Sequence, residues 1–276
     1  MSDVLHIPVS VRSWLKGRTA FSAVMRLQGK AFRDVKGRRT IQVKLGEHSY
    51  FVKQHFGVGW IEIVKNLMSF KKPVLGAMTE VSAIQQLVTL GIPTTPLVAY
   101  GQRGRNPARL QSFVMTEDLG EIVSLEELCA DWLMTPPDAT YKQELIIAVA
   151  DLAAKLHQAG LCHRDFYLCH FVMKQEEVRQ GVLKLYLIDL HRMLQRQSPN
   201  GRAVMKDIAG LYFSAMDCGL TASDLALFKQ HYLPQNEAFW QQVCARANML
   251  HAKFNSDKFQ KRLAAEKSAI HSSEDN

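Results

Sequence analysis

This chain of 276 residues lacks any apolar stretch long enough to cross a bilayer. Its longest uninterrupted apolar run is Leu145–Ala150, resuming after Asp151 with Leu152–Ala154. A spanning helix needs roughly 18 such residues. Met1–Arg12 has no apolar core followed by a small-residue cleavage site, so export is not expected. Five cysteines, odd in number and irregular in spacing, make no disulfide framework and suit a reducing cytoplasm. Internal repeats and low-complexity stretches are also missing. With 47% hydrophobic and 22% charged residues, disorder, coiled coil and collagen-like structure are excluded. The length suits one large domain or two lobes.

Acidic residues are scarce in the first quarter. Residues 1–72 carry 14 Lys+Arg against 4 Asp+Glu, a net charge of +10, whereas the remaining 204 residues carry 20 against 22. Such asymmetry calls for an anionic partner of the N-terminal part: nucleic acid, a phosphorylated glycolipid, an acidic protein or nucleotide phosphates.

Three β-type runs, Phe32–Val35, Thr40–Leu45 and Ser49–Gln54, are separated by Lys36-Gly37 and Gly46-Glu47-His48, which predicts an antiparallel meander. The alternation in Ile41–Leu45 buries one face of that sheet. Helices are expected at Trp60–Phe70 and Thr79–Leu90, and a hairpin of Leu97–Tyr100 with Ser112–Thr116. After Leu119 the character turns helical: Ser124–Asp131, Tyr141–Ala159, Ala203–Asp217, Ala222–Tyr232 and Glu237–Lys253, with short strands at Phe171–Lys174 and Leu183–Ile188. The polar tail Ser268–Asn276 is expected to fray. The expected fold class is α+β, with a small N-terminal antiparallel-sheet lobe (1–118) and a larger, mainly helical C-terminal lobe (119–276).

Phosphoryl transfer requires a few positioned parts: a carboxylate for the attacking hydroxyl, a second carboxylate with another ligand for Mg²⁺, and a strand lysine aimed at the phosphates by a helix acid. The chain supplies such residues in order. Lys53 closes a strand, Glu80 starts a helix, and Asp165, His170 and Asp189 follow. Each alone is weak, since a lone strand-end lysine is usually solvated and a first-turn glutamate suits a helix dipole. The ordered set is strong. Asp189 carries most weight, because a carboxylate after the apolar Leu185–Ile188 run would be costly to bury without a partner. Zinc on Cys162, His163, Cys169 and His170 is disfavoured, because one segment with six intervening residues does not match structural-zinc spacing.

At these residues the sequence resembles the lipopolysaccharide core heptose I kinases (WaaP/RfaP type), a protein-kinase-like family of Gram-negative bacteria. The matching stretches are Ser49–Lys53, Glu62–Leu67, Pro73–Gly76, Thr116–Leu119, Ser124–Trp132, His163–Asp165 with Cys169–Phe171, Ile188–Arg192 and Lys206–Phe213, spanning roughly residues 12–233. The resemblance implies a bilobal protein-kinase-like fold and use of ATP and Mg²⁺. Lys53 would bind the α- and β-phosphates and Glu80 would pair with it. Glu117, in the connection between lobes, would lie by the adenine. Asp165 would be the catalytic carboxylate, and Asp189 would chelate Mg²⁺. His170 would stand where protein kinases carry a metal-binding Asn, acting directly or through a metal-bound water or phosphate, since Mg²⁺ prefers oxygen. Asp207 and His163 would support the catalytic loop.

No Gly-x-Gly-x-x-Gly is present, and the first hairpin offers Lys36-Gly-Arg-Arg-Thr40 instead. Its backbone N–H groups, with Arg38 or Arg39, are expected to bind phosphates. Only 18 residues lead from Asp189 to Asp207, too few for a platform that docks a protein substrate or for the usual switch. The implied acceptor is the first heptose of the lipopolysaccharide inner core, on lipid A at the cytoplasmic face of the inner membrane. Peripheral attachment there suits the basic N-terminal quarter, with Trp60–Lys72 as an amphipathic element. Acyl carrier protein is an implied partner. Rival readings are a protein (tyrosine) kinase, a kinase of Kdo or an aminoglycoside, and a non-catalytic glycolipid-binding module. Nucleic acid is not an expected partner, since neither a recognition helix nor a stacking-aromatic motif is evident.

Overall fold

A computed structural model describes residues 3–17, 19–35, 37–68 and 76–274, without the side chains of Glu62, Asn66, Leu67 and residues 266–274. Lys36, Lys71, Lys72 and the Pro73-Val-Leu part of one matching stretch lie outside the described residues. In chain order the elements begin with β1 (Val4–His6), α1 (Val9–Arg12), α2 (Ala20–Val24), β2 (Lys30–Val35), β3 (Arg38–Leu45), β4 (His48–His55), α3 (Gly59–Met68) and α4 (Met78–Thr89). Next come β5 (Leu97–Arg103), β6 (Gln111–Glu117), β7 (Ile122–Ser124), α5 (Leu125–Leu128), α6 (Ala139–Gln158), β8 (Phe171–Lys174), α7 (Gln175–Arg179) and β9 (Tyr186–Leu187). Then follow α8 (Arg202–Ala215), α9 (Ala222–His231), α10 (Glu237–Phe254) and α11 (Asp257–Glu274).

These elements form two compact units. The first comprises Met1–Ser124 and His170–Leu194, the second Leu125–Cys169 and Gln195–Asn276. The α+β expectation holds, with antiparallel sheets in the first unit and helices in the second.

In the first unit a six-stranded antiparallel sheet has the order β1-β5-β6-β4-β3-β2. The register pairs Ile41 with Val52 and Val43 with Tyr50, so alternate residues of β3 and β4 share one face. That face is apolar and buries Ile41, Val43, Val52, Ala99, Phe113 and Met115 under Val11, Phe21 and Val24 of α1 and α2. Complete burial of side chains such as Phe113 and Ile41 stabilises by about 1.5–3 kcal/mol each. Gln54 lies on the same face, where Nε2 donates to the carbonyl of Val24 at 2.8 Å. A small sheet, β7-β8-β9, completes the unit.

The second unit is built around α6, which buries Leu145, Val149, Leu152, Ala153, Leu156 and His157. Asp138 caps it, accepting from the Tyr141 N–H at 3.0 Å. Lys142 ties α6 to α9 through a 2.7 Å ion pair with Asp224, and α8 packs on α10.

Several expectations need correction. Ser124–Asp131 gives only the four-residue helix α5, and Leu183–Ile188 only the two-residue strand β9. Helix α11 runs through Glu274, so most of the tail expected to fray is helical. β1, α1, α2 and α7 are too short to leave a periodic signal. Among the described residues, no helix is long and apolar enough to cross a membrane.

Candidate active site

Strand alternation places Lys53 on the face of β4 opposite the α1/α2 core, paired with Thr40 on β3 and Val114 on β6. Helix α4 brings Glu80 to it, and the Lys53 ammonium lies 2.6 Å from Glu80 Oε1. Glu80 is only 5% exposed, and its other oxygen has no hydrogen-bond partner among the described residues. The half-satisfied buried carboxylate therefore depends on the lysine for compensation.

Asp189 follows the buried strand β9 and adopts a left-handed backbone conformation, φ +61°. A non-glycine residue pays for that conformation, and it turns the carboxylate towards three nitrogens. His191 Nδ1 donates to Oδ1 at 2.7 Å, Lys53 Nζ is 3.5 Å from the same oxygen, and His170 Nε2 is 3.8 Å from Oδ2. Burial would raise the carboxyl pKa. The His191 hydrogen bond and the charges of Lys53, His191 and His170 outweigh it and hold Asp189 far below its ordinary value.

The register also separates the two arginines. Arg38 pairs with His55, on the Lys53 face, whereas Arg39 pairs with Gln54, on the core face. Burial draws Arg38 below its ordinary pKa; nearby Glu80 opposes this, Arg33 adds to it and Asp189 opposes it. Its buried Nε has no partner among the described residues. Arg39 instead donates to Gln28 Oε1 at 2.9 Å and lies 3.6 Å from Asp34. His55 is pushed down to about 4, first by burial and then by Arg38, Lys53 and His191.

Glu117 ends β6 with its side chain exposed and its N–H donating to the Pro96 carbonyl at 2.9 Å. The neighbouring Asp118 accepts from Ser49 Oγ at 2.8 Å, from the Gly120 N–H at 2.9 Å and from Gln42. Despite burial, these bonds lower its pKa. His191 and Asp118 lie within the matching stretches Ile188–Arg192 and Thr116–Leu119, but the sequence alone gives neither a role. The signal for His191 was present as the third residue of Asp189-Leu-His.

In the second unit one face of α8 holds the loop carrying Asp165. Asp207 accepts from the backbone N–H groups of His163 at 2.6 Å and Arg164 at 2.9 Å. Seven residues on, Ser214 Oγ accepts from the Leu168 N–H at 3.0 Å. Between them, a Cβ on Gly210 would stand 3.1 Å from Tyr167 and 3.2 Å from the Phe166 carbonyl, so glycine permits the close approach. Arg164 is left-handed, φ +74°.

His163 is fully buried, its ring 5.9 Å from that of Phe166. Behind the loop, His157 bonds Tyr232 Oη at 2.8 Å and Asp207 at 3.4 Å. Cys162 joins this group. Its thiol is pushed up to about 12 by burial and by Asp207. The imidazole and the carboxylate of this group are engaged by hydrogen bonds to Tyr232, His163 and Arg164. These bonds make the cluster a brace behind the loop.

The second unit also contains an apolar cavity of about 150 Å³ lined by residues including Leu125, Trp132, Leu145, Val149, Phe228 and Trp240.

Residues 22–232 match the lipopolysaccharide kinase (Kdo/WaaP) family. A protein of Pseudomonas aeruginosa described as lipopolysaccharide core heptose(I) kinase WaaP is 46% identical over 233 residues, 84% of this chain and 86% of that protein. An Escherichia coli K12 protein of the same description is 44% identical over 218 residues, 79% of this chain and 82% of that protein. A solved structure of WaaP in complex with acyl carrier protein superposes with a TM-score of 0.76 at 37% identity, covering 93% of this chain and 100% of that one.

Proposed function

The chain belongs to the lipopolysaccharide kinase (Kdo/WaaP) family, and from that premise we propose that it transfers the γ-phosphate of ATP to a hydroxyl of the first heptose of the lipopolysaccharide inner core. The observation that carries the reading is the convergence of Lys53, Glu80 and Asp189 within 3.5 Å contacts. An ammonium fixed between two carboxylates suits phosphate binding.

In this reading Lys53, held by Glu80, binds the non-transferred phosphates, and Arg38 adds a second cation from the neighbouring strand. The backbone beside Glu117 meets the adenine. Asp189 offers an ionised oxygen donor, the hard ligand that Mg²⁺ prefers, and His170 supports it directly or through a water or phosphate oxygen. Bound Mg²⁺ would neutralise charge on the phosphates. Asp165 orients the heptose hydroxyl and takes its proton as the oxygen bonds to the γ-phosphorus and ADP departs. His163 and Asp207 keep its loop in place.

The test is Mg·ATP-dependent phosphate transfer to heptosylated, otherwise core-deficient lipopolysaccharide. Wild-type transfer that falls by a factor of about 10²–10⁴ in Asp165→Ala is expected. A folded wild type that binds Mg·ATP but leaves this acceptor untouched would overturn the assignment.

Two partner assignments accompany it. The first is acyl carrier protein, the partner in the related solved structure. The apolar cavity of the second unit supports it, because an acyl chain on such a carrier needs an apolar enclosure. The second is peripheral attachment to the inner face of the inner membrane. Trp60, Ile61, Val64 and Met68 fall within about 100° of arc on α3 and are all exposed, Ile61 by 87% and Met68 by 78%, while Ile63 is buried. Lys65 flanks this face, and Arg109 lies on the turn against which α3 packs. Apolar residues bordered by cations suit an anionic bilayer surface.

A further inference from the structure

Beside the loop of Asp165, the second unit gathers four cations. Arg202 and Lys206 lie one turn apart on α8. Helix α10 packs against α8 and carries Arg246. The fourth is Arg164, whose backbone N–H is held by Asp207, the residue after Lys206. Although Lys206 is largely exposed, its ammonium is drawn below its ordinary pKa by its slight burial and then by Arg202, Arg246 and Arg164.

Among the described residues none of the four forms an ion pair. The buried Nε of Arg246 has no hydrogen-bond partner among the described residues. Arg164, Arg202 and Lys206 are exposed. The same unit does pair a lysine where structure requires it, Lys142 with Asp224 at 2.7 Å. Like charges brought together without an ion-pair partner repel, and an unsatisfied buried guanidinium nitrogen is costly. A bound oxyanion relieves both.

We propose that Arg164, Arg202, Lys206 and Arg246 form a binding site for an anionic group, carboxylate or phosphate, carried by the acceptor glycolipid near the hydroxyl that is phosphorylated. This rests on the glycolipid-kinase reading and names how the acceptor is recognised. Arg164 immediately precedes Asp165 in the chain, so an oxyanion held there fixes the acceptor close to the catalytic carboxylate. Arginine forks recognise carboxylate and phosphate alike. A neutral sugar gains nothing from the site, which therefore selects acidic acceptors.

The test compares wild type with R202S/K206S, two exposed positions. Calorimetry without nucleotide measures binding of the deacylated, heptosylated lipid A–core oligosaccharide, and initial rates measure KM for that acceptor and for ATP. The double variant is expected to bind the acceptor about ten-fold more weakly and to raise its KM similarly, with a flatter salt dependence and an ATP KM changed less than about two-fold. R202K/K206R, which keeps both charges, should recover most of the affinity.

An acceptor stripped of its phosphates separates the sources. If it binds wild type and double variant equally, the recognised group is phosphate; if the difference persists, it is a sugar carboxylate. Equal affinity of the two proteins for the intact acceptor overturns the site. Should wild type phosphorylate no heptose acceptor, the glycolipid-kinase reading fails separately. The site is then judged with inorganic phosphate, by the shift of the Arg246 Nε–H resonance. Movement in wild type that is lost in R202S/K206S sustains an anion site, and no movement overturns it.

Discussion

Lys53 Nζ lies 2.6 Å from Glu80 Oε1 and 3.5 Å from Asp189 Oδ1, so one ammonium is shared by a buried helix acid and an acid at a strand end. Glu80→Gln keeps the shape and removes the charge. It is expected to destabilise the protein by about 2 kcal/mol in urea melts, from the lost charge-assisted bond. It should also raise the ATP KM, because the lysine is then held by Asp189 alone.

Acid stability should show two windows. His55 is depressed from 6.5 to about 4, so the unfolded chain binds its proton first and stability is lost as pH falls from 6.5 towards 4. Asp189, depressed from 3.8, contributes stability that is complete above that value and is lost as pH falls below it. In thermal melts, His55→Gln should flatten the first window and Asp189→Asn the second. A wild-type melting temperature constant between pH 6.5 and 4 would contradict the first.

Adjacent arginines should behave differently. Arg38→Ala is expected to raise the ATP KM about five- to ten-fold, as expected for loss of one phosphate contact. Arg39→Ala should leave it nearly unchanged, because its guanidinium faces Gln28 and Asp34. Steady-state kinetics on the two single variants decides this, and equal effects would refute the register argument.

Gly210→Val should be among the more damaging single changes on α8. Its branched side chain meets Tyr167 and the Phe166 carbonyl where a Cβ alone would be only 3.1–3.2 Å away. A loss of about 1–3 kcal/mol is expected, with a fall in kcat that exceeds any change in ATP KM.

Membrane attachment can be read by flotation with anionic and zwitterionic vesicles. Ile61→Ser with Met68→Ser should reduce binding to phosphatidylglycerol-containing vesicles at least about ten-fold, without altering phosphorylation of a deacylated acceptor. Binding unaffected by this change would remove α3 from the bilayer.

Much of the sheet was legible because period-two alternation is strong in β3 and β4, and the gaps at Gly37 and Gly46 punctuate it. Helix α6 was legible from its apolar stripe, although its start came from the cap at Asp138 and not from Tyr141. Lys53, Glu80 and Asp189 could be named from order and residue type, and the structure brings these three together. What sequence could not convey was which side of a strand faces which element. Arg38 and Arg39 therefore looked equivalent, although pleating sends them to opposite faces. His191 was passed over because its role depends on the left-handed turn at Asp189. The α8 cations were invisible for a similar reason, since Arg246 reaches them only through helix packing.

The bond from Tyr232 through His157 to Asp207 has a further consequence. Trp240 of α10 stacks edge-on against Tyr232, with ring centroids 5.9 Å apart. The late helices are thus mechanically continuous with the loop that presents Asp165. Shortening the chain before α10 would trim no inert appendage; it would slacken the brace behind the loop that carries Asp165.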